Sequence, residues 1–249
     1  MTKSEQNEHS RTWEDKRILL LGGTSGVGFA TAEAASRGGA SVVVVSSRQD
    51  RVDAAISRLP RGTEGYAVDL SDEEQVRAFF KRIGEFDHLV FTAGESLSFD
   101  TIGEIELAAA RQLFDLRYWG AYMAAKYGSG NIRQGGSITL TSGTAGIRPS
   151  AGSTVPASIC GAVEVLTRAL AVELAPIRVN VVCLGLIRTE LWDNLPEEGR
   201  NALYENHGLR LPAGRVGEPE DAAEAFLYLM REQYSTGQRI VVDGGSILV

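Results

Sequence analysis

The sequence predicts an α/β fold, a single doubly wound and mainly parallel sheet of about seven strands with helices on both faces. The first observation behind this prediction is that short β-branched runs alternate with amphipathic segments of helical length. The second is that these runs are apolar almost throughout, which is typical of strands covered on both faces. The third is size, because 249 residues with 43% hydrophobic content suffice for one compact core.

Strands and helices alternate in a regular order from residue 17 onward. Strands are predicted at 17–22, 40–47, 65–70, 88–94, 136–143, 177–185 and 238–245. Helices are predicted at 27–39, 50–59, 72–84, 111–128, 157–175, 193–206 and 219–231. The polar segment 1–16 is predicted to be a flexible arm, and residues 17–249 are predicted to form one domain.

Composition and charge narrow the class of partners. The net charge of -7 argues against nucleic acid and anionic lipid, because both require clustered Lys and Arg. No apolar run approaches ~18 residues, and segment 1–16 has no apolar signal core. Cys160 and Cys183 lie in apolar segments away from histidines, so neither a metal site nor a disulfide is expected. We therefore expect a soluble, cytoplasmic protein whose ligand is a small molecule.

The predicted helix 157–175 is apolar on two sides. One stripe consists of Ala162, Val165, Ala169 and Val172, and the other of Val163, Leu166, Leu170 and Leu174. A helix with two apolar stripes needs two packing partners. The sheet is one of them, and a neighbouring subunit is the expected second, which predicts a homo-oligomer.

A glycine-rich segment, GGTSGVG, joins the first predicted strand to the first predicted helix. Its glycines, Gly22, Gly23, Gly26 and Gly28, permit a tight turn and close approach of a pyrophosphate, which backbone amides and the positive end of the helix then bind. Glycines alone also fit a flexible turn. With a strand before, a helix after and the βα repeat around it, the segment predicts a Rossmann-type dinucleotide site. The site also includes Thr24, Ser25 and Val27.

The end of the second strand, VVVVSSRQD, indicates which dinucleotide binds. A ribose 2′-hydroxyl is usually held by an acid at this position, whereas a 2′-phosphate requires arginine and hydroxyl groups. Ser46, Ser47 and Arg48 therefore predict NADP(H), since arginine makes a bidentate contact to phosphate. A solvated turn is the alternative interpretation. Asp50 lies beyond the arginine and is expected to open the next helix.

From Lys16 to the C-terminus the chain resembles the short-chain dehydrogenase/reductase family. The resemblance depends on the glycine pattern 22–28, with Leu21 for the usual threonine, and on VDL, FTAG and LGLIRTEL at 68–70, 91–94 and 184–191. It implies that Asp69 lies near the adenine amino group, with Leu70 against the ring. It also implies that the Ile187 backbone and Thr189 approach the nicotinamide carboxamide. The FTAG turn adds Ala93 and Gly94, and the family resemblance implies a tetramer.

The resemblance also shows which residues stand at the family's catalytic positions. In the family, a tyrosine phenol delivers a proton, a lysine one helical turn later lowers the phenol pKa, a serine orients the carbonyl, and an asparagine holds a relay water. An ungapped alignment places Pro156 at the tyrosine position and Cys160 at the lysine position. It places Gly143 at the serine position, with Ser142 just before it, and Arg117 at the asparagine position. We therefore expect an atypical member without the usual tetrad.

Candidates to replace the missing catalytic residues lie in the predicted helix 111–128 and in a predicted lid near 190–212. Arg117 either points into the former relay channel, where its charge would hold a carboxylate, enolate or phosphate, or is a surface cation paired with Asp115 or a neighbouring subunit. Trp192 is placed to stack on a ligand. Tyr204 and His207 are the candidate replacement acids, with packing or surface roles as the alternative.

Two functions stay open at this point. One is an NADP(H)-dependent oxidoreductase with a non-standard site. The other is a non-redox protein, namely a cofactor-bound sensor, a scaffold, or an enzyme of isomerisation or cyclisation. The retained segment around Thr189 favours the oxidoreductase, because a protein that binds the cofactor only through its adenine half does not need a contact to the nicotinamide.

Overall fold

The computed structural model describes residues 13–94 and 100–249. In this part of the chain one sheet of seven strands forms, β1 Arg17–Leu21, β2 Ser41–Ser46, β3 Glu64–Ala67, β4 Phe86–Phe91, β5 Ile132–Gly143, β6 Arg178–Leu184 and β7 Arg239–Val242. Every neighbouring pair is parallel, and the strand order is β3-β2-β1-β4-β5-β6-β7. The predicted doubly wound parallel sheet is confirmed.

The helices lie close to the predicted segments. They are α1 Gly26–Arg37, α2 Gln49–Arg58, α3 Glu73–Arg82, α4 Leu107–Phe114, α5 Ala121–Gly128, α6 Thr154–Glu173, α7 Glu197–Gly208 and α8 Pro219–Arg231. The segment predicted as one helix at 111–128 is divided, because a π-helical turn, Asp115–Gly120, separates α4 from α5. Such turns widen a helix locally and are frequent at functional sites.

Both faces of the sheet are covered, which explains the apolar strands. Leu19 and Leu21 of β1 belong to the core under α3, α5 and α6, together with Phe79. Ile18 and Leu20 point to the opposite face, in the core under α1 and α8. Successive side chains of a strand alternate between faces, so a strand covered on both sides is apolar at most of its positions.

The N-terminal boundary differs from the prediction. Residues 1–12 of the predicted arm lie outside the described residues. Trp13 is only 4% exposed, its ring meets His88 edge-on, and its backbone N–H donates to Gly38. Lys16 forms an ion pair of 3.0 Å with Asp87. Because the Trp13 indole fills space over the domain, the packed region begins before the predicted boundary at residue 17.

Helix α6 has one buried and one exposed apolar stripe. Val163 is 2% exposed, whereas Val165 and Val172 are 57% and 82% exposed. Among the described residues, α6 alone has the length and apolar composition needed to cross a membrane. Its buried side packs on β5 and β6 in the core, which accounts for that composition. The exposed stripe stays without a partner within the described residues of this chain.

Candidate functional site

The glycine loop after β1 contacts the turn after β4 so closely that side chains are excluded. Gly22 has φ +93°, and a Cβ there would collide with the backbone N of Ala93. A Cβ on Gly28 would collide with the carbonyl of Gly22. The Thr92 hydroxyl also donates to that carbonyl at 3.2 Å. The predicted loop residues and the FTAG turn thus form one backbone cradle at the carboxyl edge of the sheet.

The cradle ends at the N-terminus of α1, which has no internal anion of its own. The N-cap residue, Ser25, makes no side-chain capping hydrogen bond, and no acidic residue lies in the first turn. The amides of a first helical turn attract anions. This end of the cradle therefore fits the pyrophosphate of a dinucleotide.

The ribose end of the site is formed where β2 leads into α2. Arg48 is the N-cap of α2, and its Nε donates to Asp50 Oδ1 at 3.0 Å, with a second contact from Nη2 to Oδ2. Asp50 lies in the first helical turn, as predicted, and the hydrogen bond from Arg48 lowers its pKa. Both side chains are more than half exposed. An exposed ion pair contributes little stability, so a phosphate can compete for Arg48.

The adenine-side residues fit the expectation only in part. Asp69 lies on the surface, and its Oδ1 accepts hydrogen bonds from the backbone and the hydroxyl of Ser71 at 2.9 and 2.6 Å. The expected contact of Leu70 with an adenine ring needs correction. The Leu70 side chain is 3% exposed and belongs to the core, so it offers almost no surface to a ligand.

The segment after β6 reaches the glycine loop. The Cγ2 of Thr189 lies 3.1 Å from the point where a Cβ of Gly26 would stand. Ile187 is buried, and its carbonyl accepts a hydrogen bond of 3.0 Å from Trp192 Nε1. The backbone N–H of Arg188 donates to Gly217, which fixes the segment on its outer side. Thr189, one of the two residues expected at the nicotinamide, thus lies beside the glycine loop.

Arg117 lies in the π-helical turn and points toward the FTAG turn. Its Nη1 would be 2.7 Å from a Cβ of Gly94, so the guanidinium lies directly against that glycine. Burial raises the pKa of the Cys160 thiol, and the charge of Arg117 opposes this shift in part. Of the two interpretations of Arg117, this placement supports the inward-facing one.

The two residues that the ungapped alignment predicts at the tyrosine and lysine positions lie at the start of α6. Pro156 is buried in the first turn of the helix, where its missing N–H has no intrahelical partner. The Cys160 Sγ is 3.3 Å from the point where a Cβ of Gly143 would stand. Burial raises the pKa of the Cys160 thiol, so it stays protonated and uncharged at neutral pH.

Ser142 belongs to a buried polar network. Its hydroxyl donates to Glu164 Oε1 at 3.0 Å, and the Cys160 carbonyl is 3.3 Å away. Glu164 Oε2 accepts from Arg239 Nη1 at 2.6 Å. This network ties α6 to β5 and β7, and Ser142 is only 7% exposed. The structure therefore gives the Ser142 hydroxyl a partner in the core, the carboxylate of Glu164.

The segment predicted as a lid begins with a 3₁₀ turn, Glu190–Trp192, and continues into α7. Tyr204 is 5% exposed, and the Arg188 guanidinium lies 4.2 Å from its ring centre. Burial raises the pKa of Tyr204 and lowers that of His207. Tyr204 lines a cleft of about 440 Å³ with Ser25 and Gly26, and Arg117 does not line this cleft. The structure thus supports a packing role for Tyr204.

Within residues 13–94 and 100–249, no group of three or more His, Cys, Asp or Glu side chains is arranged to hold a metal ion. The two cysteines are free thiols.

Comparison with known proteins decides the family. The family model for the SDR-like Rossmann domain matches residues 10–249. The chain belongs to the short-chain dehydrogenase/reductase family. It has the Rossmann domain of that family, which binds a nicotinamide cofactor.

Three relatives illustrate the range of the family around this chain. The short-chain dehydrogenase/reductase ucsE of an Acremonium species is 35% identical, over 94% of this chain and 96% of its own length. A small-chain dehydrogenase solved in complex with NADPH is 36% identical, has a TM-score of 0.81, and aligns over 95% of this chain and 100% of its own. The MalC reductase/Diels-Alderase of Malbranchea aurantiaca is 29% identical, has a TM-score of 0.88, and aligns over 96% and 99% of the two chains.

Two acidic residues of this short-chain dehydrogenase/reductase were missed by sequence reasoning. Glu164 stands between Val163 and Val165 in an apolar helix, which is a visible signal of a buried polar contact. Glu190 follows Thr189 directly and lines the cleft beside the glycine loop. Its position became apparent only from the fold of the 3₁₀ turn.

Proposed function

We propose that the chain is an NADP(H)-dependent oxidoreductase with a non-standard active site that acts on a specialised small-molecule substrate. Ser46, Ser47 and Arg48 at the end of β2 support the phosphorylated cofactor, because the exposed guanidinium can turn toward a 2′-phosphate. The NADPH complex of the 36% identical small-chain dehydrogenase gives independent support.

The cradle described above fits a nicotinamide dinucleotide. The glycine loop and the first turn of α1 would hold the pyrophosphate, and Ile187 and Thr189 would hold the carboxamide end. When bound, the reduced nicotinamide supplies the hydride for reduction. The remaining tasks, which are to orient the acceptor and to handle charge and protons, belong to the side chains around Gly94.

The observation that carries the proposal is the position of the Arg117 guanidinium against Gly94. Arginine stays protonated at all ordinary pH values, so Arg117 acts as a fixed positive charge and not as a proton donor. In this role it orients a carboxylate, enolate or phosphate of the ligand and stabilises negative charge that develops during the reaction.

The proposal includes the loss of the family's proton donor. Pro156 carries no acidic proton, and the uncharged Cys160 thiol cannot replace the lysine's charge. A proton for a reduced carbonyl then has to come from water, or the substrate has to be an acceptor whose reduction needs no such acid. A positioned acid contributes roughly 10²–10⁴-fold, so slow hydride transfer persists without it.

A second candidate function is cyclisation or isomerisation in the same pocket, with sensor and scaffold roles as further non-redox alternatives. The name of the Malbranchea relative, which combines a reductase with a Diels-Alderase, favours the first of these. A fixed charge beside an enclosed substrate, with no strong acid in place, suits a reaction that rearranges bonds within one ligand.

The test follows NADPH consumption spectroscopically over a panel of ketones, enones and carboxylate-bearing acceptors. The unmodified protein is compared with Arg117→Ala, Arg117→Lys and the control Arg111→Ala, which removes an exposed arginine of the preceding helix. We expect loss of turnover in Arg117→Ala, partial retention in Arg117→Lys and no change in the control. Product formation without NADPH consumption would instead favour the cyclase.

We further propose a homo-oligomer, a tetramer by the family resemblance, in a cytoplasmic location. The exposed apolar side chains of α6, together with Trp119 and Tyr122 on the neighbouring helix, support this assembly. The predicted domain, with its packed region extended back to Trp13, would act as one unit with a lid over 190–212.

A further inference from the structure

The carboxylate of Glu190 lies at the mouth of the glycine loop. Its Oε2 is 3.4 Å from the point where a Cβ of Gly26 would stand. Glu190 also lines the cleft with Ser25, Gly26 and Thr189. A negative charge from the lid thus lies beside the first turn of α1.

The first turn of α1 attracts this charge. It contains no acidic residue of its own, and Ser25 does not cap it. Helix α3 is different, because Asp72 accepts a hydrogen bond of 2.9 Å from the backbone of Glu74. The uncapped amides of α1 are the groups that a pyrophosphate requires. The carboxylate of Glu190 and the pyrophosphate of the cofactor are therefore attracted by the same N-terminal amides of α1.

The turn that carries Glu190 is attached to the domain and to the lid. The backbone N–H of Asp193 donates to the Glu190 carbonyl at 3.1 Å, and Trp192 Nε1 donates to Ile187 at 3.0 Å. The Asp193 side chain forms an ion pair with Arg200 of α7. These contacts fix the backbone of the turn that carries Glu190 and connect it to α7.

We propose that Glu190 controls release of the cofactor, its carboxylate competing with the pyrophosphate for the amide end of α1. The inference rests on the proposed NADP(H)-dependent function. A bound pyrophosphate forces the carboxylate to rotate away or to remain beside a like charge, and both outcomes raise the free energy of the complex. Cofactor release limits the rate of many enzymes, so a residue that weakens the complex speeds exchange between turnovers.

The effect is independent of the 2′-phosphate. NADPH and NADH carry the same pyrophosphate, so Glu190 weakens binding of both by the same factor. From the energy of a charge at a helix N-terminus and the Coulomb energy in a high-dielectric setting, we expect roughly a three- to tenfold change in Kd. The difference lies mainly in the dissociation rate.

The experiment measures Kd and dissociation rates of NADPH and NADH by cofactor fluorescence in the unmodified protein and in Glu190→Gln, which keeps size and removes charge. Glu220→Gln is the matched control, since Glu220 is an exposed acid of the same cleft. We expect tighter binding and slower release of both cofactors in Glu190→Gln, and no change in Glu220→Gln. At about 1 M salt, where the Debye length is about 3 Å, the difference should shrink.

Equal Kd values for the unmodified protein and Glu190→Gln overturn the role of Glu190 and leave the cofactor assignment in place. An equal gain in Glu220→Gln also overturns it, because the effect would then reflect the net charge of the cleft. Binding of neither cofactor to any of the three proteins overturns both proposals. Glu190→Ala, which shortens the side chain, checks that the result does not depend on a new contact of the glutamine.

Discussion

The buried histidine in the core should make the fold sensitive to mild acid. His88 is 4% exposed, and its Nδ1 lies 2.8 Å from Ser137 Oγ. Burial, helped by the charge of Arg178, lowers the pKa of His88 from its ordinary 6.5 to about 4. Between these two values the unfolded chain binds the proton and the folded chain does not. Stability is therefore complete above pH 6.5 and decreases as the pH falls toward 4.

The size of this effect follows from the two pKa values. One pKa unit corresponds to about 1.4 kcal/mol, and the linkage relation gives a loss of about 2 kcal/mol between pH 7 and pH 5. Urea unfolding at fixed protein concentration, at both pH values, measures it. His88→Gln keeps a polar partner for Ser137 and removes the titration, so its loss over the same interval should be smaller by about 2 kcal/mol. An equal loss in both proteins would refute the reasoning.

Two further predictions concern cofactor choice and assembly. Arg48→Ala should raise the Kd of NADPH by about tenfold and leave that of NADH unchanged, since a charge-assisted contact to the 2′-phosphate is lost. Fluorescence titration measures both Kd values, and a parallel change for the two cofactors would argue against a contact of Arg48 with the 2′-phosphate. The unmodified protein should show the mass of an oligomer by light scattering at micromolar concentration. A Val165→Glu, Val172→Glu double variant should shift it toward the monomer, because both side chains lie on the exposed stripe of α6; a monomeric unmodified protein is the contrary outcome.

The sheet and the cradle could be predicted because their causes are local. Strands covered on both faces are apolar at most positions, as β1 is from Ile18 to Leu21, and this pattern is visible in the sequence. The tight contact between Gly22 and Ala93 requires a glycine, so the loop leaves its own signal. Pro156 is also explained locally, since the first turn of a helix tolerates proline.

The remaining features depend on contacts between distant residues. Leu70 follows a motif that implies a ligand contact, yet its side chain fills the core. Glu164 has two hydrogen-bond partners, Ser142 in β5 and Arg239 in β7, which lie on different strands. Glu190 reaches Gly26 only because the turn after β6 folds over α1. The hydrophobic periodicity of a single segment cannot predict such contacts, because they form only when distant segments pack together.

The most direct test of the central claim is the rate of NADPH-dependent reduction of a simple ketone by the unmodified protein and by Arg117→Ala. Without a phenolic donor at Pro156, the rate should be lower than that of a tyrosine-bearing relative by roughly 10²–10⁴-fold. Any remaining activity should depend on Arg117 and fall further in Arg117→Ala. Reduction at many turnovers per second, unchanged in Arg117→Ala, would contradict the account.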